Sequence, residues 1–316
     1  MTVTASLFGM LVAVTANPLS LGPNGTQREL FIDGHMIEKM TGDVRQLLQQ
    51  PEPKEVVLTT DAPWEGNTCA YYTIFRDGDL FRMYYRGSHW DTSSKKATHR
   101  EVTCYAESRD GVNWVKPNLG LFEFNGSKDN NIVLDGLGTH CFVAFKDENP
   151  NARPEARYRG VSRGWPLGKT GLYIYESPDG IRWKMTQSEP VITQGEFDSQ
   201  NLAFWDARIG KYREYHRIFV DGIRAIMTAT SDDFVQWSKP ELLGYQESIP
   251  NQHLYTNAIL PYARAPHLYL GFPTRYLPND GQRVEPTLMV SRDGLNFHRW
   301  LEPIVPESAP KDRGGN

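Results

Sequence analysis

The chain has 316 residues and a mass of 36.0 kDa, with 39% hydrophobic and 23% charged residues and a mean hydropathy of −0.52, which excludes disorder and collagen and leaves ample material for a core. A net charge of −4, a pI near 6.1 and the lack of any basic run argue against nucleic-acid binding, which needs a basic excess or stripe to neutralise phosphates. No 18-residue apolar stretch occurs, so no helix is expected to cross a membrane.

Within residues 1–20 an apolar run from Leu7 to Ala16 ends in the small residues Val14-Thr15-Ala16. It reads either as a signal peptide without its basic flank, making the protein secreted or periplasmic, or as an apolar strand. Ile32-Asp33-Gly34 reads as a strand end followed by a turn. Val44–Gln50 carries the best helix signal of the chain. Cys69, Cys104 and Cys141 lack zinc-site spacing and read as buried small hydrophobes.

From residue 60 onward the sequence repeats. Ser108-Arg-Asp110-Gly-Val-Asn-Trp114, Ser177-Pro-Asp179-Gly-Ile-Arg-Trp183, Ser231-Asp-Asp233-Phe-Val-Gln-Trp237 and Ser291-Arg-Asp293-Gly-Leu-Asn-Phe297 align without gaps, at spacings of 69, 54 and 60 residues. Each follows an alternating strand (Val102–Ser108, Leu172–Ser177, Ile226–Ser231, Leu288–Ser291) and precedes another. The box is therefore a hairpin turn in which Asp caps backbone amides and Gly supplies positive φ. Upstream of each box lies an aromatic-Arg strand: Phe81–Arg86, Tyr158–Arg163, Tyr212–Arg217 and a looser Tyr269–Arg275. Before that comes an apolar strand: Ala70–Phe75, Cys141–Phe145, Leu202–Trp205 and Ala258–Tyr262. Three strands and the one after the turn make a four-stranded blade, and radial repetition of such blades is a β-propeller. The fold class is all-β, a single propeller domain over residues 21–316 with four blades between about residues 60 and 300. The chain stops where a fifth innermost strand would begin, so a five-bladed ring with its last blade truncated is expected, leaving an open seam.

With these units in hand, the chain resembles the five-bladed β-propeller glycoside hydrolases of the family 32 and family 43 type. It is similar also to uncharacterised secreted bacterial proteins, through the strings RELFIDGHMIE (28–38), DAPWEGNTCAYYTIFRDGDLFRMYYRGSH (61–89), CYAESRDGVNWVKP (104–117) and FDSQNLAFWD (197–206). The resemblance implies that the innermost strands begin at the mouth of a central funnel and that catalytic carboxylates are contributed there, one per blade. It is specific for fold and weak for chemistry, because one propeller superfamily hosts several activities.

A residue repeated in every blade holds the blade together, whereas one that breaks the repeat at the mouth is a candidate for function. Asp110, Asp179, Asp233 and Asp293 are thus structural. Arg86, Arg163 and Arg217 read as ion-pair partners or as a grip on a uronate or sulfate. The repeat is broken at Trp64-Glu65-Gly-Asn67, at Thr139-His140, at Glu196-Phe-Asp198-Ser-Gln200-Asn201 and at His253-Leu-Tyr255-Thr-Asn257. Glycoside hydrolysis needs two carboxyl groups flanking the scissile bond. Glu65 is expected to be the acid and Asp198 the base, facing each other at the spacing of an inverting enzyme. The family pattern of an Asp in blade one, an Asp in blade two and a later Glu is not kept, and Asp33 reads as structural. Glu214 and His216 share one strand face and either tune a proton donor or form a buried hydrogen bond. His140, His253 and Glu214 can also be read as a channel site for a cation such as calcium, without metal-ligand spacing to support it; no cofactor is expected. Trp64, Trp90, Trp165 and Tyr255 are candidates to stack on sugar rings. The leading expectation is a glycan-cleaving hydrolase; the alternative is a non-catalytic glycan-binding propeller.

Overall fold

The computed structural model describes residues 28–165, 167–246 and 249–306. The N-terminal apolar run and the C-terminal tail, with the readings attached to them, lie outside the described residues. Four antiparallel sheets follow one another along the chain. Blade one pairs Ala70–Asp77, Leu80–Gly87, Val102–Ser108 and Trp114–Val115 in that order. Blade two pairs Val143–Lys146, Tyr158–Arg163, Leu172–Ser177 and Lys184–Met185, and blade three pairs Leu202–Asp206, Lys211–Val220, Ile223–Ser231 and Glu241–Leu242. Blade four pairs Ile259–Tyr262, Ala265–Gly271, Arg283–Ser291 and Asn296–Pro303, with Gly244–Tyr245 added on its outer edge. The first strands of successive blades pack side by side, so the apolar strand of each unit is innermost.

Val44–Gln50, which carries the best helix signal of the chain, is irregular, in keeping with the all-β reading. Seven residues are too few to be a stable helix without a face to bury, and both Val44 and Leu47 are exposed. Gln46 instead donates to the carbonyls of Phe31 and Asp33, and Gln50 to that of Pro303. The segment before it is anchored on blade four. Leu30 and Ile32 pack on Ala265, Leu268 and Val290, while Asp33 and Glu29 pair with Arg292. Asp33 therefore fastens the N-terminal segment.

All four boxes form the same turn. The Ser Oγ accepts from the amide three residues on, and the Asp Oδ1 accepts from the amides two and three residues beyond it. The residue after Asp has φ of +78°, +76°, +70° and +75° in blades one to four, a conformation that favours glycine. Blade three nevertheless places Phe234 there. In the glycine turns of blades two and four the preceding blade sends a tyrosine onto the glycine carbonyl: Tyr84 to Gly180 at 2.6 Å and Tyr215 to Gly294 at 2.7 Å. Before Phe234 the equivalent residue is Val161, and the two share one apolar cluster, so the space given up by the tyrosine is filled by the phenyl ring.

A second interaction crosses the same junctions. Asp77, at the end of blade one's innermost strand, accepts from Arg82 Nε at 2.8 Å and from the hydroxyl of Tyr158 in blade two at 2.5 Å. Asp147 accepts from Arg159 at 2.6 Å and from Tyr212 of blade three at 2.7 Å. Asp206 accepts from Arg213 at 2.9 Å and from Tyr269 of blade four at 2.6 Å. Strand direction puts these staples and the boxes on one face of the disc. The starts of the innermost strands, with Arg86, Arg163 and Arg217 at the mouth ends of the second strands, lie on the other.

The four innermost strands line a cavity of about 400 Å³, mostly with apolar side chains such as Phe75, Phe145 and Leu202. Ile74 and Leu260, which line it from the first and last blades, are each 47% exposed.

Removing one staple carboxylate strands a buried guanidinium. Asp206→Ala is expected to lower the unfolding free energy by ~3–5 kcal/mol, and Tyr269→Phe by ~1 kcal/mol, in urea titrations. A loss below ~1 kcal/mol for Asp206→Ala would contradict the role given to the staple. Acid should undo the same face. Burial pushes Asp77 up, but hydrogen bonds from Lys146, Tyr158 and Arg82 outweigh it and hold its carboxyl well below the usual range. Burial likewise opposes, and the amides of Arg182 and Ile181 outweigh, at Asp179, which is drawn down to about 2. Because these folded-state values lie below the unfolded value of about 3.9, their stabilisation is complete above that pH and is lost as pH falls through the folded values. Denaturation midpoints should therefore drop steeply below about pH 4; a midpoint unchanged down to about pH 2.5 would contradict this.

Candidate functional site

The mouth is assembled from the loops that enter the innermost strands. In blade one a bulge between Ala70 and Thr73 coincides with φ +57° at Tyr71, a strained value for a non-glycine residue. Tyr71 thereby reaches across the mouth. Its ring lies 5.1 Å from the Arg86 guanidinium and 5.8 Å from His140, and its hydroxyl donates to the Asp198 carbonyl at 3.3 Å. Burial raises its phenol above the ordinary value, so it stays a neutral donor.

Arg86 donates to the Thr68 carbonyl at 2.8 Å, and one of its terminal nitrogens lies 3.3 Å from His140 Nδ1 and 3.7 Å from Glu101. His140 Nδ1 is 2.9 Å from a Glu101 oxygen. Burial pushes the Glu101 carboxyl up, but His140, Arg86 and Arg163 outweigh it and keep it below the usual range. Across the mouth Arg217 donates to the Asp198 carboxylate and lies 5.0 Å from the Tyr255 ring, which Arg224 approaches at the same distance. The His253 Nδ1 accepts from the Arg224 amide at 3.3 Å, and burial with the Arg224 charge holds this imidazole below its ordinary value.

Between blades two and three the mouth opens into a pocket of about 200 Å³ lined by Arg163, Trp165, Lys169, Glu196 and Asp198. The Asp198 side chain is 48% exposed, Glu196 is exposed, and the exposed Trp165 indole lies 5.2 Å from the Arg163 guanidinium.

The structure does not bring Glu65 to this mouth. Its side chain is fully buried, accepting from Tyr85 at 2.5 Å, Lys116 at 2.6 Å and the Ala62 amide at 3.0 Å. Tyr84 faces blade two, so its neighbour Tyr85 points to the opposite side of blade one, and Glu65 lies there with it. Glu65 is a structural carboxylate, and the expected Glu65–Asp198 pair does not form. Trp64 belongs to the same inner cluster and donates to Asn131, so it offers no sugar platform; Trp90 and Trp165 are the exposed indoles. Asn67 clamps Trp90 through both its backbone groups.

Asn201 and Asn257 are buried and position rather than bind. Asn201 holds the carbonyls of Phe197 and Ser199 on either side of Asp198, and Asn257 holds those of Gln200 and Tyr215. Glu214 and His216 form a closed pair facing blade two. The imidazole Nδ1 contacts Glu214 at 2.8 Å and Nε2 contacts the Gln194 carbonyl at 2.8 Å. Burial alone would lower this His; the Glu214 charge outweighs it and raises it. With Glu214 so engaged, it does not join His140 and His253, and among the described residues no three His, Cys, Asp or Glu side chains are placed to hold a metal ion.

Arg86, His140, Arg163, Glu196, Asp198, His253 and Tyr255 thus stand at the mouth, joined by Tyr71, Glu101 and Arg224, which the sequence reading passes over. Glu101 lies on the approach to a third strand rather than a first, so a search of first-strand entrances passes over it.

No family model matches the sequence. Two uncharacterized proteins of Mycobacterium tuberculosis, from strains CDC 1551 and H37Rv, are each 29% identical over 123 residues, 37% of this chain and 34% of theirs. The match thus spans about a third of the length of these curated relatives. Among solved structures, BT0996 in an RGII complex superposes with a TM-score of 0.53 at 15% identity, covering 80% of this protein and 80% of that one. An N-acetylgalactosamine deacetylase from F. plautii gives 0.52 at 13%, covering 83% of this chain and 76% of that one. The beta-1,2-mannobiose phosphorylase from Listeria innocua gives 0.53 at 12%, covering 76% and 77%. The fold is therefore that of the propellers found among glycoside hydrolases and their relatives, and the varied names show that this fold carries more than one reaction.

If Glu65 is structural, Glu65→Gln should lower stability by ~1–3 kcal/mol, because a buried carboxylate with three donors loses half its acceptors. Glycan binding by the folded fraction should stay unchanged in calorimetric titration; a variant of full stability that no longer binds glycan would restore Glu65 to the site.

Proposed function

We propose that the protein is an exported carbohydrate-active enzyme, a glycoside hydrolase that receives polysaccharide or oligosaccharide at the mouth between blades two and three. The observation that carries this reading is that one pocket is lined by two carboxylates from a single loop, Glu196 and Asp198, beside the exposed Trp165 indole. Hydrolysis of a glycosidic bond asks for one carboxyl group that gives a proton to the leaving oxygen and one carboxylate that activates water or attacks the sugar. Asp198, paired with Arg217, takes the anionic role. Glu196, with no cation at ion-pair distance among the described residues, takes the proton-donating role. Trp165 supplies the flat apolar face on which a sugar ring stacks, and Tyr71 a neutral donor beside Asp198. The propeller enzymes of similar fold support the assignment to glycan chemistry.

A second reading, a non-catalytic glycan-binding propeller, is favoured by the guanidinium held against Asp198, which occupies one of its oxygens. The two separate on one variant. Asp198→Asn should cut turnover by roughly 10²–10⁴-fold, measured as reducing ends released from the polysaccharide the wild type cleaves, with glycan binding retained. Glu196→Gln should lose activity similarly, with a smaller loss on substrates whose leaving groups need no proton. Wild-type protein that binds glycan yet releases no reducing ends from any polysaccharide would establish the binding module instead.

A further inference from the structure

We propose that Arg163 is the residue by which the mouth selects an acidic sugar, its guanidinium receiving a uronate carboxylate or a sulfate ester while the ring stacks on Trp165. This rests on the reading of the mouth as a glycan site and names the class of glycan. Phe81, Tyr158 and Tyr212 each pair with the serine of their box, Ser108, Ser177 and Ser231. Five residues on, each of these strands carries an arginine at the mouth: Arg86, Arg163 and Arg217. In blade four Tyr269 pairs with Ser291, and the corresponding residue is Thr274.

The three arginines have the same origin and different company. Arg86 lies 3.7 Å from the Glu101 carboxylate, and Arg217 is bonded to Asp198. Arg163 has no carboxylate at ion-pair distance among the described residues; it lies beside Trp165 and lines the open pocket. Glu101 feels its charge but is engaged by His140 and Arg86. The other charges lining the pocket do not neutralise it. Lys169 is bonded to Glu189, Asp198 to Arg217, and Glu196 stands beyond ion-pair distance.

Donor capacity is in surplus around it. Arg86 Nε and both Nε and Nη1 of Arg217 are buried without a hydrogen-bond partner, and Arg224 adds a further cation beside Tyr255. Buried donors are normally satisfied, and a planar guanidinium forks onto the paired oxygens of a carboxylate or sulfate. An acidic group entering beside Asp198 would supply the acceptor that Arg163 lacks.

The test uses the full chain on an array of plant and algal oligosaccharides in which each uronate or sulfated member is matched by its carboxyl-reduced or desulfated counterpart. The wild type should bind acidic members roughly tenfold or more tightly than their matched neutral forms, which is the worth of one charge-assisted contact. Preference among uronates assigns the carboxylate, and preference among sulfated members assigns the sulfate. Arg163→Gln should abolish that preference, and Arg163→Lys should restore part of it. Equal binding of acidic and neutral members, or a Gln variant that keeps the preference, overturns the role of Arg163 and leaves the glycan reading intact. Binding to no member overturns both.

Discussion

The arrangement depends on a carboxylate at the end of the innermost strand in blades one, two and three. Asp77, Asp147 and Asp206 each bind an arginine of their own blade and a tyrosine hydroxyl of the next, so one ionised group fixes strand pairing within a blade and docking between blades. A buried charge is costly alone, which makes the geometry selective: an arrangement that removed either donor would leave an uncompensated ion inside the protein. The box turns complete the same junctions by presenting backbone carbonyls to the tyrosines and arginines of the preceding blade. Blade four has Tyr262 and Leu270 where the others have Asp and Arg. There the N-terminal segment takes over, through Glu29 and Asp33 on Arg292.

Because these interactions gather at one face of the disc, the other is free to differ from blade to blade. At the mouth the repeat supplies an arginine three times, and each meets different surroundings: a carboxylate–imidazole pair at Arg86, an open pocket at Arg163 and the Asp198 loop at Arg217. Asn201 and Asn257 tie those loops to backbone carbonyls, so Asp198 is presented from a fastened loop rather than a loose one. Conformational cost is accepted here too, at Tyr71 and at Ala258, both with positive φ where an innermost strand begins.

The blades were legible because the turn chemistry of Ser, Asp and Gly is local and is written in consecutive residues. The staple is also written, as Phe75-Arg76-Asp77, Phe145-Lys146-Asp147 and Phe204-Trp205-Asp206, but its meaning emerges only when the next blade's tyrosine is in place. Glu65 misled for a related reason. Its position before a first strand is that of a mouth residue, yet the loop folds back so that the carboxylate meets Tyr85 and Lys116, the latter 51 residues away. Glu101 and Tyr71 stayed hidden because a strand bulge and a third-strand entrance carry no motif.

The central claim is that one face of the disc holds the ring together and the other carries the chemistry. The most direct test is a crystal structure of the protein soaked with the oligosaccharide it binds best on an array. Density for a sugar ring against Trp165, with an oxygen within hydrogen-bond distance of Asp198, is the predicted result. A glycan seated on the box-turn face, or against Trp64 and Glu65, would contradict it.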